Sequence, residues 1–357
     1  MDEKRELLTH PIKHIDIRHH DVSALIDAME HMAFSARDLA RAARYFQLML
    51  SDEECTIFLG LAGSLVSAGL KHVIVDLIEL NMVDAIVATG ANIVDQDFFE
   101  ALGFKHYVGS KSVNDQHLRK LAIDRIYDTF IDEDQLKDCD LTVAEIAKSL
   151  APRPYSSREF IKEMGRWLDS RSNTVRSIVH AAFKKSVPIF CPAFTDSSAG
   201  FGLVHHQWFA DGPTVSIDSA RDFLELTKIK VDSDATGIFM IGGGVPKNFI
   251  QDTVVAGEVL GFDTPMHKYA VQITVADERD GGLSGSTLKE ACSWGKVDTT
   301  YEQMVYCEAT IAFPLIVAYA HHRGAARARV EQRFSDILDS WHVERSAVAA
   351  SSQQKRR

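Results

Sequence analysis

Apolar residues recur every three or four positions through "VSALIDAMEHMAF" and "ARDLARAARYFQLML", which predicts amphipathic helices over 23–50 with Ser35 as a candidate N-cap. The period then changes. "TIFLG" is a short unbroken apolar run, as in a buried strand, and "SLVSAGLKHVIVDLIELN" returns to helical spacing. "DAIVATG" predicts a second buried strand, and "DQDFFEAL" opens another helix. Strand, glycine loop, helix, strand is the grammar of a parallel sheet wound with helices on both faces. Residues 111–185 are charged and read as helical, broken by the prolines of "APRPYSS" at 151–157. The strand grammar resumes at "VPIFCPAFTDSSAG" (187–200), and "SIDSARDFLELTKI" predicts the helix that follows. "TGIFMIGGGVPKNFI" predicts a strand ending at Gly242, Gly243 and Gly244, and "HKYAVQITVA" one ending at "DERDGGLSGST". The run from "TIAFPLIVAYAHH" to "FSDILDSW" predicts a closing helical segment. The expected class is α/β, with a doubly wound, mostly parallel sheet.

In such a sheet, ligands lie beyond the carboxyl ends of the strands. Five polar or glycine-rich loops follow predicted strands here: "LAGS", "TGANIVDQD", "TDSSAG", "GGGVPK" and "DERDGGLSG". Backbone N–H groups in such loops, next to helix N-termini, suit a pyrophosphate. Each loop alone reads as a tight turn. Five on one edge point to a site for a large cofactor.

Composition narrows the classes. With 357 residues, 46% of them hydrophobic, the chain can bury a large core. A net charge of -11 argues against nucleic acid as the main partner, because phosphate binding needs a basic face. The charged start "MDEKRELL" is unlike a secretory signal, and no apolar run reaches the roughly 18–20 residues of a membrane span. Five cysteines without CxxC spacing read as reduced thiols. The expectation is a cytoplasmic protein, without membrane or nucleic-acid partners. Residues 1–22 carry His10, His14, His19 and His20 without spacing that completes a metal-ligand set, so they read as a flexible arm. Residues 23–345 read as one catalytic domain and 346–357 as a disordered tail.

The chemistry concentrates in "KEACSWGKVD", residues 289–298. Lys296 follows Trp294 and Gly295 directly, six residues after Glu290. A Lys buried against an aromatic ring loses part of its charge and becomes a nucleophile able to form an imine. The ring can also face an ammonium, and the carboxylate can hold a cationic amine or accept a proton.

At "GGGVPK", "DGGLSGS" and "EACSWGKV" the chain resembles deoxyhypusine synthase, and the likeness extends through "NMVDAIVAT" and "CPAFTDSS" over about residues 50–325. The resemblance implies a homotetramer with shared active sites and a Rossmann-like, NAD-binding core. It implies transfer of a 4-aminobutyl group from a polyamine such as spermidine, through an imine on Lys296. The acceptor is a Lys of the hypusine-bearing translation initiation factor, or a small diamine in the homospermidine synthases of the same family. Carried over by position, the cofactor set is Ser64, Ser67, Thr89, Gly90, Asp95, Asp196, Ser198, Gly242, Gly244, Ala276, Asp280 and Glu308. The catalytic set is Lys296, Glu290 and Trp294. Ser284 joins Glu290 and Trp294 in the substrate pocket, with three departures: Asn248 stands where the family has a proton-moving His, and Phe201 and Leu283 stand where it has acids. An amide cannot act as a base near neutral pH, and an ammonium buried without carboxylates is costly. The kept Lys machinery and the altered pocket favour an aminoalkyl transferase with a small amine acceptor. Protein modification and a non-catalytic NAD-binding relic are the alternatives. An ordinary dehydrogenase leaves the Trp-Gly-Lys run unexplained.

Overall fold

The computed structural model describes residues 2–172, 175–342 and 345. Six strands make one sheet: β1 (Cys55–Leu61), β2 (Ala85–Ala88), β3 (Ile189–Phe190), β4 (Ala235–Ile241), β5 (His267–Thr274) and β6 (Val297–Tyr306). Every neighbouring pair is parallel, and the order across the sheet is β3-β2-β1-β4-β5-β6. The chain therefore winds outward one way from β1 and the other way from β4. Helices leave these two strands on opposite sides, which opens a crevice at their carboxyl ends.

The pleat assigns alternate residues to opposite faces. Ile57, Leu59 and Leu61 of β1 join Phe239 and Ile241 of β4 in one core, while Phe58, Ile238 and Met240 point into the other. Helices Phe34–Ser51, Lys71–Glu79 and Ala309–His322 contribute Phe46, Val73 and Phe313 to the first core. Helices Ser219–Val231, Gly244–Gln251 and Leu288–Ser293 contribute Leu226, Ile250 and Leu288 to the second. Each such fully buried side chain stabilises the fold by about 1.5–3 kcal/mol relative to exposure. The expected doubly wound α/β architecture is therefore present, with a helical layer on each face.

Several local expectations are corrected. β6 has a polar first half, facing partly outward, and the apolar-run criterion passes over it. Within the stretch read as helical, Ile123–Ile126 and Thr129–Asp132 pair antiparallel, with Tyr127 at φ 52 in the turn. No glycine marks that turn in the sequence. The first long helix is capped at Ala33 rather than Ser35, whose Oγ instead donates to the Tyr306 carbonyl (3.2 Å). The closing helical segment is two pieces: Ala309–His322 stops at Gly324 (φ 69), and helix resumes at 334–342.

The N-terminal segment is laid along the domain rather than left as a flexible arm. Ile12 N–H donates to His106 O (2.9 Å) and Ile15 N–H to Gly69 O (3.1 Å). His14 Nε2 meets the Glu100 carboxylate at 2.8 Å, and His106 Nδ1 meets its other oxygen at 2.7 Å. The tail at 346–357 lies outside the described residues.

Candidate functional site

The five loops share the carboxyl edge as one rim: polar side chains tie neighbouring loops within each half of the sheet, and Ala62 N–H donating to the Ile241 carbonyl (2.9 Å) joins the halves. Thr89 Oγ1 (3.1 Å) and Asn92 Nδ2 (3.0 Å), both after β2, donate to the Gly63 carbonyl after β1. Asn92 Oδ1 also accepts from Leu65 N–H at 2.8 Å. The loop after β2 meets the loop after β3 where Ser198 N–H donates to Asp95 Oδ1 (2.5 Å). Gly90 packs so tightly on Ser197 that a Cβ there would lie 2.4 Å from its Cβ. Across the sheet, Gln272 Nε2 donates to both the Gly242 carbonyl (2.9 Å) and the Ser284 carbonyl (3.1 Å), joining the turns after β4 and β5. Gly242 and Gly244 take φ of 77° and 61°, a region open to glycine at little cost, and so turn the chain sharply into helix Gly244–Gln251.

Individual cofactor candidates divide by what their side chains do. Ser64 is half-buried, and Asp196 and Asp280 are exposed on the rim. Ser67 is buried and spends its hydroxyl on the Ser64 carbonyl (3.1 Å), so it braces the loop. The Ser198 Oγ is buried without a hydrogen-bond partner among the described residues. Burial raises the Asp95 carboxyl to about 6, against the opposing hydrogen bond from the Ser198 N–H. Ala276 donates its N–H to Thr274 Oγ1 (3.1 Å), Asp280 accepts from Gly282 N–H (2.7 Å), and Glu308 caps the last long helix through Thr310 N–H (2.9 Å).

Lys296 is not on this rim. It immediately precedes β6, and its carbonyl accepts from His267 N–H (3.0 Å) at the start of β5, so its backbone sits at the amino edge of the parallel sheet. What connects it to the rim is helix Gly244–Gln251, which starts at the glycine turn and runs back along the sheet. Asn248 on that helix and Asp252 at its C-cap face Lys296. The Lys296 Nζ lies 2.5 Å from Asp252 Oδ1 and 3.4 Å from Asn248 Oδ1. Asn248 Nδ2 in turn donates to Asp252 Oδ2 (2.7 Å).

The expected burial of Lys296 against Trp294 is corrected. The Trp294 residue is 67% exposed, with its ring centroid 5.4 Å from Nζ, while the Lys296 side chain is only 13% exposed. The amine meets the helix carrying Asn248 and stands over one face of the Trp294 ring, which is itself largely exposed. Glu290 is exposed, and its N–H is capped by Thr287 Oγ1 (3.0 Å). Phe201 and Leu283 are 66% and 44% exposed, so neither is taken up in the core.

Two neighbours were passed over in the sequence. Asp252 is four residues after Asn248, hence on the same helical face, and that spacing was the available signal. Lys247 is buried and donates to Ser286 Oγ (2.9 Å) and to the Ser286 carbonyl, which pins the Gly-Ser turn to the helix. Burial pushes its amine down to about 8, with Glu290 opposing and Lys296 adding to the shift.

The family model for deoxyhypusine synthase matches residues 24–320. The chain belongs to the deoxyhypusine synthase family. A "Deoxyhypusine synthase-like protein" of Chlorobaculum parvum is 64% identical over 339 residues, covering 95% of this chain and 97% of that one. One from Coxiella burnetii is 59% identical over 338 residues, covering 94% and 96%. A crystal structure from Entamoeba histolytica, assigned provisionally as a deoxyhypusine synthase, superposes with a TM-score of 0.61 at 21% identity. It covers 90% of this chain and 99% of that one, a likeness of fold.

Membership implies NAD-dependent aminobutyl transfer, and the rim fits that cofactor. It sits at the switch point between β1 and β4, where dinucleotides bind in doubly wound sheets. A Cβ on Gly243 would lie 2.5 Å from Ser284 Cα, so backbone packs against backbone beside the helix that would receive the pyrophosphate. No helix among the described residues is long and apolar enough to cross a membrane.

Proposed function

We propose that the chain transfers an aminobutyl group from a polyamine or diamine donor to a small amine acceptor, through an imine on Lys296. The observation that carries this reading is the placement of Lys296. Its amine stands between Asn248 and Asp252 and the largely exposed Trp294 ring, over which it lies. One helix links it to the glycine turn. NAD, held by the rim, would supply the hydride acceptor that oxidises the donor carbon. This chain's residues do the rest. Trp294 offers its face to an approaching ammonium, and the Lys296 lone pair takes the oxidised carbon. Loss of the family's acids at Phe201 and Leu283, both at the surface, supports a donor and acceptor held differently from spermidine and the translation factor.

Assembly into a homotetramer with shared sites belongs to the same proposal. Helix Ser198–Trp208, which starts on the rim, exposes Phe201, Val204 and Trp208 along one stripe, an apolar surface that a second copy would cover.

The test incubates the protein with NAD and, in turn, labelled spermidine, homospermidine and putrescine, reduces with borohydride and maps the added mass. An adduct on Lys296 that passes to putrescine but not to the translation factor is the expected result. No adduct with any polyamine tested would sink the proposal and leave a cofactor-binding relic.

A further inference from the structure

Any imine exchange on an amine needs a group that takes a proton from the attacking nitrogen and returns one to the departing nitrogen. Asn248 lies within 3.4 Å of Lys296 Nζ, but an amide does not titrate near neutral pH. Among the described residues, the carboxylate in contact with that nitrogen is Asp252, at 2.5 Å. Its other oxygen accepts from Asn248 Nδ2 (2.7 Å), which fixes the carboxylate plane and leaves Oδ1 facing the amine. The Asp252 side chain is 31% exposed, so a substrate nitrogen can reach it.

The other charged groups nearby make no contact with the Lys296 amine among the described residues. Lys247, on the same helix, donates to Ser286. Glu290, on helix Leu288–Ser293, is exposed. His267, behind the site on β5, is fully buried; its Nδ1 meets Thr236 Oγ1 (2.9 Å) and its Nε2 the Ile250 carbonyl (3.3 Å), with Lys230 donating to the same Thr236.

We infer that Asp252 is the proton carrier of the Lys296 amine, oriented for that task by Asn248. The inference rests on the proposed imine at Lys296. With the donor carbon already oxidised to a C=N carbon, the Nζ lone pair attacks it, the carbon–Nζ bond forms, and the C=N π pair moves onto the donor nitrogen. A proton passes from Nζ to Asp252 Oδ1. Oδ1 then protonates the departing amine, whose carbon–nitrogen bond breaks as the Nζ lone pair closes the new C=N bond. One proton is moved, one amine replaces another, and no electrons are gained or lost. The same carrier serves the return exchange with the acceptor amine.

Butanal is a suitable probe, because it forms an imine without NAD or a known donor, water leaving in place of the amine. The rate of borohydride-trapped adduct on Lys296 is followed by mass for the wild type, Asp252→Asn and Asp252→Glu, with a thermal melt of each. If Asp252 carries the proton, Asp252→Asn slows trapping about a hundredfold or more, and Asp252→Glu recovers to within about tenfold of wild type. If the carboxylate merely pairs with the ammonium, Asp252→Asn frees the amine and trapping stays equal or quickens, which overturns the inference while the imine reading stands. A folded wild type that gives no adduct on Lys296 overturns both.

Discussion

The rim at the carboxyl edge and the corner around Lys296 differ in how they are built. The rim consists of short loops locked to one another by side-chain-to-backbone hydrogen bonds, from Thr89 and Asn92 on Gly63 to Gln272 on Gly242 and Ser284. Its glycines leave no room for a Cβ at Gly90 or Gly243. The corner is a side-chain arrangement on two elements, with Lys296, Asn248 and Asp252 joined by contacts that a single substitution can rewire. A surface defined by close-packed backbone tolerates few changes and suits a constant ligand. A surface defined by side-chain tips can change its chemistry while the fold stays put. The family's cofactor falls on the rim's side of that division and the altered Asn248 on the corner's, while Phe201 and Leu283 are exposed side chains carried by the rim's own elements.

The comparison breaks first at its largest effect. Lys296→Arg keeps the charge beside Asp252 but removes the imine-forming amine. It should cut adduct formation and transfer at least about a thousandfold while leaving NAD affinity, measured by calorimetry, within about twofold of wild type. A parallel loss of NAD binding would show that the corner and rim are not separable. Next, Gly243→Ala forces a Cβ onto the Ser284 backbone. A cost of about 1–3 kcal/mol in denaturant unfolding and a roughly tenfold weaker NAD affinity should follow, with butanal trapping at Lys296 little changed.

Asp95 tests the rim by pH. Burial, reinforced by Asp140 and Asp196, raises its carboxyl to about 6 from an ordinary value near 3.8. The folded protein then keeps a proton that the unfolded chain sheds, so this group's contribution to stability falls as pH rises from about 4 to 6. The total is at most about 3 kcal/mol. Asp95→Asn, whose amide oxygen can still accept from Ser198 N–H, should flatten that part of the unfolding profile; an unchanged slope would place the group elsewhere. The smallest effect is expected at Trp294. Because the residue is largely exposed, Trp294→Ala should alter stability by no more than about 0.5 kcal/mol and weaken amine binding about two- to fivefold.

Much of the rim was legible because strand, glycine loop and helix are local signals, each carried by a few consecutive residues. The corner was only half legible. The run from Glu290 to Lys296 marked the nucleophile, but β6 hides its polar half, so the edge of the sheet on which Lys296 sits was not readable. Asp252 lay one helical turn beyond Asn248, and nothing local tied it to a Lys 44 residues onward. The antiparallel pair at 123–132 escaped for a related reason, its turn being made by Tyr127 at positive φ without a glycine to announce it.

The sequence by itself determined the doubly wound class, the five glycine and polar loops, and the Lys beside Trp and Gly. These follow from apolar periodicity and backbone freedom, which act over a few residues. Only the tertiary structure decided that Lys296 stands at the amino edge of the sheet, between one helix and the Trp294 ring, with Asp252 against its amine. Such contacts arise from the packing of a crossover helix against a strand far along the chain, and no short-range pattern encodes them.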